Sequence, residues 1–509
     1  MAQLQSLIAN TKTVSSLGVG CGLLGLWVLF QLFAYLRDPL RDIPGPFTAR
    51  FTRLWYLKEV ASGHFEKTNV ALHKKYGPIV RIAPHYYSVD DMNAISTIYG
   101  HGTHFVKGKW YIASATPNSK VPNLFTELDP DVHSAVRRKV ASLYSMTSLV
   151  AMEPNAVECA RLLTEKLTAL AESGKSLNLQ VWLQYFAFDT IALITLSKRF
   201  GFLDTGEDNG GMIEALHKYL LYLSKVGVIH EWHSTFNWIL SFLPKQGMHY
   251  LGSFMTDQVA EGQRLRPKGS LEKDESKSTD DFLTKLLRMN ALQPDKFSMA
   301  DVYSICMTNI GAGSDTTSVS LAGIMYCLMR NPEALEKVRK EIDEAMQGRG
   351  SDEMLSFQEA QKLPYLQACI KEGLRVHPAT GLPMVRVVPK GGSTIAGRYF
   401  PAKTEVGVNS WVAHANQRIF GPDAEKFRPE RWLESAERTS DMNRYIMTFG
   451  SGSRTCIGKN ISLLEISILI PELVRKFDFT LTDPKRQLET ENVWFVKQKN
   501  LECYVSLRK

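Results

Sequence analysis

Apolar residues recur every three or four positions along most of the chain, which is the spacing of one face of a helix. This pattern predicts helices at 65–76, 155–173, 281–290, 299–330, 333–347, 357–376 and 459–476. Short runs rich in β-branched and aromatic residues predict strands at 79–82, 87–89 and 384–388 and within the last dozen residues. No internal repeat is visible. Residues 47–509 are therefore predicted to form one mixed domain in which helices dominate.

Residues 17–36 contain no charged residue and only one strongly polar residue, Gln31. This length matches a helix that crosses the hydrocarbon core of a bilayer. A cleaved signal peptide is the alternative, but the apolar run is too long for one, and Arg37-Asp38-Pro39 follows it where small residues would mark a cleavage site. We predict a short segment 1–16 and then a retained transmembrane anchor at 17–36. The excess of Lys and Arg after the span places the rest of the chain in the cytosol.

Two further stretches bear on the organisation of the chain. Three prolines between residues 37 and 46 predict a stiff, extended hinge between the anchor and the domain. The segment 219–243 is apolar and rich in aromatic residues. It is interpreted either as part of the core or as a surface patch that rests on the bilayer near a substrate entrance.

Composition and charge exclude several classes of protein. The 509 residues are 44% hydrophobic and 22% charged, which excludes wholesale disorder. The net charge of +8 is spread along the chain, so a dedicated nucleic-acid binder is not expected. A basic face for an acidic protein partner or an anionic membrane is compatible with this charge. Seven cysteines without a CxxC pair argue against a disulfide framework or a structural zinc site and favour a reducing compartment.

One cysteine stands apart from the others. Cys456 is surrounded by Gly450, Gly452 and Gly458, and a helical pattern starts directly after it. The glycines allow a close approach to a flat ligand, and the helix N-terminus should lower the pKa of the thiol. The resulting thiolate could be a nucleophile or a metal ligand. The absence of a local His/Asp pair favours axial ligation of haem iron, with a small buried cysteine in a turn as the plain alternative.

Two other segments carry candidate chemistry. Glu372 and Arg375 share a helix face and can pair, and a second arginine from a loop could close a three-member ion network. Gly311 and Gly313 lie inside the predicted helix 299–330, where each glycine costs about 1 kcal/mol relative to Ala. With threonine hydroxyls that can bond the carbonyl four residues earlier, they predict a local bulge or groove. An unbroken helix with a solvated aspartate is the alternative.

These segments together resemble the cytochrome P450 family. Residues Phe449, Gly452, Arg454, Cys456 and Gly458 match its haem-binding signature FxxGxRxCxG. Glu372–Arg375 and Arg431 resemble its ExxR and PERF elements, and the order along the chain is that of the family. The resemblance implies a mainly α fold with small β-sheets behind one N-terminal transmembrane helix. It also implies heme b, Cys456 as the axial iron ligand, and an ion network that holds the loop before Cys456.

The resemblance assigns further residues by motif. Ala312-Gly-Ser-Asp-Thr316 is similar to the AGxDT motif, which implies that Thr316 and Asp315 deliver protons during oxygen activation. His133 and Arg137 resemble a WxxxR element in which His replaces Trp. They are predicted, with Arg386 and Arg454, to bind the haem propionates.

Segments 122–127 and 141–149 are similar to the fungal pisatin-demethylase-like branch, among P450s of the microsomal type. This implies a single-pass protein of the endoplasmic reticulum membrane with a cytosolic catalytic domain. It would use O2, and electrons from NADPH-cytochrome P450 reductase, to oxidise a lipophilic small molecule in secondary-metabolite biosynthesis, with a terpenoid as the first guess. The reductase is expected to dock on basic residues around the cysteine loop: Arg137, Arg138, Lys139 and Lys459. The substrate pocket is expected at 105–125, 305–316, 379–385 and 493–495.

Two other classes of function remain as alternatives. A haem-thiolate isomerase or dehydratase would need no external electrons, and against it stands the intact Asp315–Thr316 pair. A membrane-anchored binding protein would contain no haem.

Overall fold

The computed structural model describes residues 22, 25–26, 29–115, 121, 123–242, 246–267, 269, 271 and 279–508. Within these residues the architecture is mainly helical with small β-sheets, which confirms this part of the predicted fold class. The α-helices in chain order are α1 (Leu54–Ala61), α2 (Phe65–Tyr76), α3 (Met92–Tyr99), α4 (Pro130–Val140), α5 (Met146–Val150), α6 (Glu153–Ser173), α7 (Leu179–Leu196), α8 (Phe202–Thr205), α9 (Met212–Val228), α10 (His233–Leu240), α11 (Gln246–Leu265), α12 (Phe282–Leu292), α13 (Met299–Arg330), α14 (Pro332–Ala345), α15 (Phe357–Ala360), α16 (Pro364–Val376), α17 (Ser410–His414), α18 (Gln417–Phe420), α19 (Ala436–Tyr445) and α20 (Lys459–Lys476).

The strands are short and lie mostly around the helices. They are β1 (Ile79–Ala83), β2 (Tyr86–Val89), β3 (Val106–Lys107), β4 (Leu177–Asn178), β5 (Arg386–Val387), β6 (Ser393–Ile395), β7 (Arg398–Phe400), β8 (Glu405–Gly407), β9 (Phe477–Leu481), β10 (Glu489–Asn492), β11 (Val496–Lys499) and β12 (Glu502–Leu507). The largest sheet has the strand order β1-β2-β8-β5-β3, and a second has the order β4-β12-β9. The pairs β6-β7 and β10-β11 form separate hairpins.

The core is built around the long helix α13. A capping box between Ser298 and Asp301 starts this helix, and α13 packs along most of α7. A side chain at Gly313 would place its Cβ only 3.0 Å from Ile191 of α7. The glycine therefore permits this close helix packing. Helix α20 packs against α13 and α6, which fixes the position of the cysteine loop that precedes it.

Helix α7 is the one described helix whose length and hydropathy would suit a membrane span, but 83% of it is buried inside the protein. It is therefore a core helix. It was not predicted from the sequence because it is apolar all round and has no amphipathic period.

Two predicted elements differ from the structure. The helix predicted at 357–376 is two helices, α15 and α16, because Pro364 starts a new helix and cannot continue the old one. The strand predicted at 384–388 is shorter and spans only Arg386–Val387.

The predicted anchor at 17–36 lies partly outside the described residues. Residues 29–37 are helical, and Leu29, Phe30 and Phe33 are exposed. The following segment 37–46 packs on the large sheet, where Asp38 forms a buried ion pair with Arg81 at 2.8 Å. The end of this helix is thereby fixed against the folded domain.

Each of the two interpretations of the apolar segment 219–243 applies to one part of it. Its first half belongs to α9, where Leu220 and Leu223 are buried. Beyond α9, the side chains of Trp238 and Phe242 are 64% and 71% exposed. The first half is therefore core, and the second half is an exposed apolar patch.

Candidate active site

The loop before α20 presents Cys456 to the interior of the protein. The Cys456 backbone N–H donates to the carbonyl of Phe449 at 2.8 Å, which closes the loop. Gly452 has φ +67°, and a Cβ there would lie 1.7 Å from the carbonyl oxygen of Tyr99. A side chain at this position is therefore excluded both by backbone conformation and by space. A Cβ at Gly458, in contrast, would meet no atom within 4 Å, so the loop borders open space there.

The thiol of Cys456 faces a cavity inside the protein. Of the six cysteines in the described part of the chain, Cys456 alone is exposed, yet burial among protein atoms raises its pKa. Both observations fit a thiol that borders an internal slot. The backbone N–H groups of Gly458 and Lys459 bond to the sulfur and lower its pKa, but burial outweighs them. The prediction of a net lowered thiol pKa is therefore wrong for the polypeptide alone.

The structure brings together the three residues of the predicted ion network. Both Glu372 oxygens accept from Arg375, at 2.8 Å each, and Arg431 Nε donates to Glu372 Oε1 at 2.8 Å. All three side chains are at most 1% exposed. The indole of Trp432 donates to Glu372 Oε2 at 2.9 Å. Each oxygen of the buried carboxylate thus has at least two donors, which is what a buried charge requires.

This network is connected directly to the cysteine loop. Arg375 donates to the carbonyl of His414 at 2.7 Å, and the Arg375 carbonyl lies 2.9 Å from His414 Nδ1. On the other side of the imidazole, Nε2 accepts from the backbone N–H of Met447 at 2.8 Å. Thr448 Oγ1 donates to the carbonyl of Leu374 at 3.3 Å. Helix α16 therefore holds the two residues that precede Phe449.

Helix α13 brings Asp315, the neighbour of Thr316, to the wall of a cavity. The helix is α-helical from Met299 to Arg330, so the predicted bulge is wrong. Thr316 Oγ1 donates to the carbonyl of Ala312 at 2.8 Å, as the sequence predicts. A Cβ at Gly311 would meet no atom within 4 Å, which gives the predicted groove. Asp315 is 1% exposed, so the alternative of a solvated aspartate is wrong.

A group of cations lies near the cysteine loop without a matching set of anions. The cations are Lys107, Arg137, Arg386 and Arg454, and the imidazole of His133, a neutral donor near pH 7, lies among them. Burial, followed by the charge of Arg386, lowers the pKa of Arg454 to about 10. Burial and the surrounding cations lower the pKa of His133 to about 3 and also lower the pKa of Lys107. In the sheet, Lys107 stands directly opposite Arg386, a like-charge pairing that destabilises a sheet.

The hydrogen bonds of these side chains do not neutralise their positive charge. Arg454 donates to the carbonyls of Glu127 and Leu128 at 2.7 and 3.0 Å. Lys107 donates to the carbonyl of Phe125 at 2.5 Å. Among the described residues, neither the imidazole of His133 nor the guanidinium of Arg137 forms a hydrogen bond or an ion pair. Neutral carbonyls satisfy donors but do not cancel charge, so the cluster is suited to a dianionic ligand.

The site therefore fits the haem that the sequence resemblance implies. A cavity-facing thiol, glycines that leave room for a flat ligand, and a cation cluster suited to two carboxylates occur together. Lys107 was missed from the sequence because it is a lone lysine in a two-residue strand. Its signal appears only when the sheet register pairs it with Arg386.

The described part of the chain encloses a cavity of about 1090 Å³ against α13. Its wall includes Phe125, Leu216, Leu220, Met307, Trp494 and Phe495. The predicted pocket segments 105–125, 305–316 and 493–495 contribute to it, whereas 379–385 does not. Helix α9 supplies part of the wall that sequence reasoning did not predict.

Comparison with known proteins gives matches over almost the whole chain. A family model described as Cytochrome P450 matches residues 44–504. Pisatin demethylase from Fusarium vanettenii is 39% identical over 473 residues, which cover 93% of this chain and 91% of that protein. A cytochrome P450 monooxygenase from Aspergillus terreus is 37% identical over 488 residues, with coverage of 94% and 97%. Another, from Penicillium aethiopicum, is 34% identical over 495 residues, with coverage of 94% and 96%.

Proposed function

The chain belongs to the cytochrome P450 family, and we propose that it is a membrane-anchored monooxygenase that oxidises a lipophilic small molecule with electrons from an NADPH-dependent reductase. The observation that carries this proposal is the cavity-facing thiol of Cys456 beside a cluster of uncompensated cations. When bound, the haem would supply the activation of O2. Cys456 would be its iron ligand, and Lys107, His133, Arg137, Arg386 and Arg454 would hold its propionates.

The polypeptide contributes position and protons. The Thr316 hydroxyl donates its proton to the Ala312 carbonyl, so its oxygen remains able to accept a hydrogen bond. Asp315, one residue earlier, lies in the cavity wall. A hydroxyl and a carboxylate side by side can pass a proton to a group bound in the cavity, which is general acid catalysis by positioning. We assign this role to Asp315 and Thr316.

The substrate is proposed to be a lipophilic product of fungal secondary metabolism. A cavity of about 1090 Å³ with a largely apolar wall suits a drug-sized or somewhat larger apolar ligand. The compared relatives come from Fusarium, Aspergillus and Penicillium. We take a terpenoid as the first substrate class to test, followed by aromatic polyketides.

Electrons are proposed to arrive on the face that carries the cysteine loop. Arg138 and Lys139 are exposed on α4, and Lys459 is exposed at the start of α20. These cations would attract the acidic face of a reductase. Reversing the charge of Arg138 and Lys139 to Glu should slow reductase-supported haem reduction and weaken its salt dependence. The matched control is Lys218→Glu, a charge reversal at an exposed lysine of α9, outside the cysteine loop and α4.

Membrane attachment is proposed at the corner where the N-terminal helix joins the domain. Tyr35 packs on Phe51 with ring centroids 5.4 Å apart, and Arg53 pairs with Glu231 at 2.8 Å. Through these contacts the N-terminal helix, and the segment that leads to the exposed patch with Trp238 and Phe242, both adjoin residues 51–53. A transmembrane helix and an apolar patch at one corner would rest on the same bilayer. We propose the endoplasmic reticulum membrane, with the catalytic domain in the cytosol.

The full-length protein in detergent, supplied with haem, provides the test. We expect a ferrous–CO complex with the red-shifted Soret band of sulfur ligation, and Cys456→Ala should lack it. With reductase, NADPH and ¹⁸O₂, a substrate found by its spin-state shift should gain one labelled oxygen atom. An unlabelled rearranged product formed without NADPH would identify an isomerase or dehydratase instead. Protein that binds no haem would refute the proposal.

A further inference from the structure

Asp315 makes two short side-chain contacts with neighbouring elements. Its Oδ2 accepts from Lys497 Nζ at 2.9 Å, and its Oδ1 accepts from Gln184 Nε2 at 2.6 Å. The side chains of Asp315 and Lys497 are 2% and 9% exposed. Burying an ion pair costs desolvation free energy that the attraction does not always offset. Stability alone is therefore a weak reason to place this pair at the cavity wall.

The lysine connects Asp315 to titratable groups nearer the solvent. Lys497 lies on β11, and Glu491 stands directly opposite on β10. Glu491 Oε2 lies 3.4 Å from Nε2 of His217, and these side chains are 24% and 31% exposed. The same oxygen accepts from Lys499 Nζ at 2.9 Å. Burial lowers the pKa of His217, Lys497 and Lys499 lower it further, and Glu491 and Asp315 raise it. Both members of the buried pair therefore lie within electrostatic range of this imidazole.

The hairpin is also held in register with α13. Gln498, the residue after Lys497, donates through Nε2 to the carbonyl of Val319 at 2.8 Å. This bond joins β11 to the helix that carries Asp315. It therefore fixes the backbone of Lys497 relative to the carboxylate. Gln184 fixes the other carboxylate oxygen from α7. The geometry thus keeps one ammonium hydrogen aimed at Oδ2.

We propose that Lys497 is the residue through which protons reach Asp315 from solvent, with His217 and Glu491 at the outer end of the path. This inference rests on the proposed function. In the transfer, the Lys497 N–H bond breaks and an Asp315 O–H bond forms, so ammonium and carboxylate become amine and carboxylic acid. Asp315 then gives the proton to the cavity side. Lys497 regains a proton from a hydronium ion of the solvent, which enters at the partly exposed side chains of His217 and Glu491. Charge is conserved, and no redox reagent is required.

The first test uses holoenzyme with reductase, NADPH and a turned-over substrate. Lys497→Met should lower product formation at least about tenfold, divert consumed O2 to hydrogen peroxide, and change the solvent deuterium isotope effect. Lys497→Arg keeps a cation beside Asp315 but cannot give up a proton, so it should restore stability without restoring the coupling. His217→Gln leaves the buried Lys497–Asp315 pair intact and should shift the pH profile of coupling. This variant still tests the proposal if Lys497→Met folds poorly.

The matched control is Lys476→Met. Lys476 also pairs with a carboxylate that is 2% exposed, Glu472 at 2.7 Å, but it lies at the far end of α20 from the cysteine loop. It controls for the loss of stability that follows removal of a lysine from a buried acid. We expect it to lower stability while the ratio of product to O2 consumed stays at the wild-type value.

The second test does not depend on turnover. In Lys497→Met, Asp315 is buried without its cation, so its pKa should rise. A carboxyl whose folded-state pKa is raised destabilises the protein above that pKa, and the penalty disappears as the pH falls. The unfolding midpoint of the variant should therefore recover relative to wild type between pH 8 and pH 5. The double variant Asp315→Asn/Lys497→Met should lack this dependence.

The outcomes separate the inference from the proposed function. Wild-type enzyme that incorporates no labelled oxygen contradicts the function itself. Wild-type turnover combined with unchanged coupling and isotope effect in both Lys497→Met and His217→Gln would overturn the proton path. An unfolding midpoint of Lys497→Met that tracks wild type at every pH would also overturn it, because Asp315 would then not depend on the lysine.

Discussion

Replacement of Glu372 by Gln tests whether the buried ion network holds the cysteine loop. The change keeps the shape but removes the charge that compensates Arg375 and Arg431, both at most 1% exposed. The amide N–H₂ of the glutamine would also face an N–H donor that in the wild type donates to a carboxylate oxygen of Glu372. Arg431 keeps a contact to Asp423 at 3.1 Å, and Arg375 keeps its backbone carbonyls. A buried charge left without its partner costs about 3–5 kcal/mol, and we expect a loss of that size.

A matched change on the surface calibrates this effect. Glu359→Gln removes the carboxylate that pairs with Arg349 at 2.6 Å, where the glutamate side chain is 36% exposed. An exposed pair of this kind contributes about 0–1 kcal/mol. Gln at this position can also keep the capping box with Ser356. The two substitutions are chemically identical, so burial and network membership are what differ.

Denaturant unfolding measured by far-ultraviolet circular dichroism, with the ferrous–CO spectrum at each step, provides the assay. We expect Glu372→Gln to lose the sulfur-ligated CO band before helix content falls, because α16 holds Met447 and Thr448 through this network. Trp432→Phe removes one donor to Glu372 and should cost less, about 1–3 kcal/mol. Equal destabilisation by Glu372→Gln and Glu359→Gln would refute the reasoning, as would a CO band that persists until the helices unfold.

Three further predictions concern single residues. Gly452→Ala should prevent haem incorporation, because its Cβ would collide with the Tyr99 carbonyl; Gly348→Ala, another positive-φ glycine with open space around it, should load haem normally, and haem content measures the difference. Lys107→Met should speed haem transfer to apomyoglobin roughly tenfold or more, because a charge-assisted bond is lost. The apoprotein should stay at least as stable as wild type, because a buried cation has been removed from a cation cluster. Slower transfer would contradict the propionate assignment. Burial lowers the pKa of His414 to about 3, so below pH 6.5 the unfolded state binds a proton that the folded state does not. The free energy of unfolding should therefore fall between pH 6.5 and pH 3. Thermal unfolding of His414→Gln across this range should show a weaker dependence on pH.

The sequence predicted those features that depend on residues close together along the chain. The helix at 299–330 has the predicted bounds because its amphipathic period and its cap lie within the segment. Glu372 and Arg375 were found because both lie on one turn of a helix. Arg431 was added only through the resemblance to a known motif, since nothing in the spacing of 59 residues predicts the contact.

The remainder depends on burial and on contacts between distant segments. Helix α7 has no polar face to reveal it. The pKa of Cys456 was predicted to fall because the helix N-terminus was visible in the sequence, whereas the burial that dominates was not. Lys497 sits in the sequence Val-Lys-Gln-Lys, which has the pattern of an exposed strand, and only the packing of the hairpin against α13 shows that it meets Asp315.

The cations near Cys456 and the pair at Asp315 differ in what compensates their charge. Lys497 neutralises Asp315 within the polypeptide, so that pair can form in the folded chain before any ligand binds. Lys107 and Arg386 face each other across two strands, and the protein supplies them mainly with neutral carbonyls. Since like charges in such a position repel, the free energy of this cluster improves only when an anion arrives. The basic side of the cavity should therefore be the part of the fold most stabilised by haem, and the Asp315 side the part least changed by it.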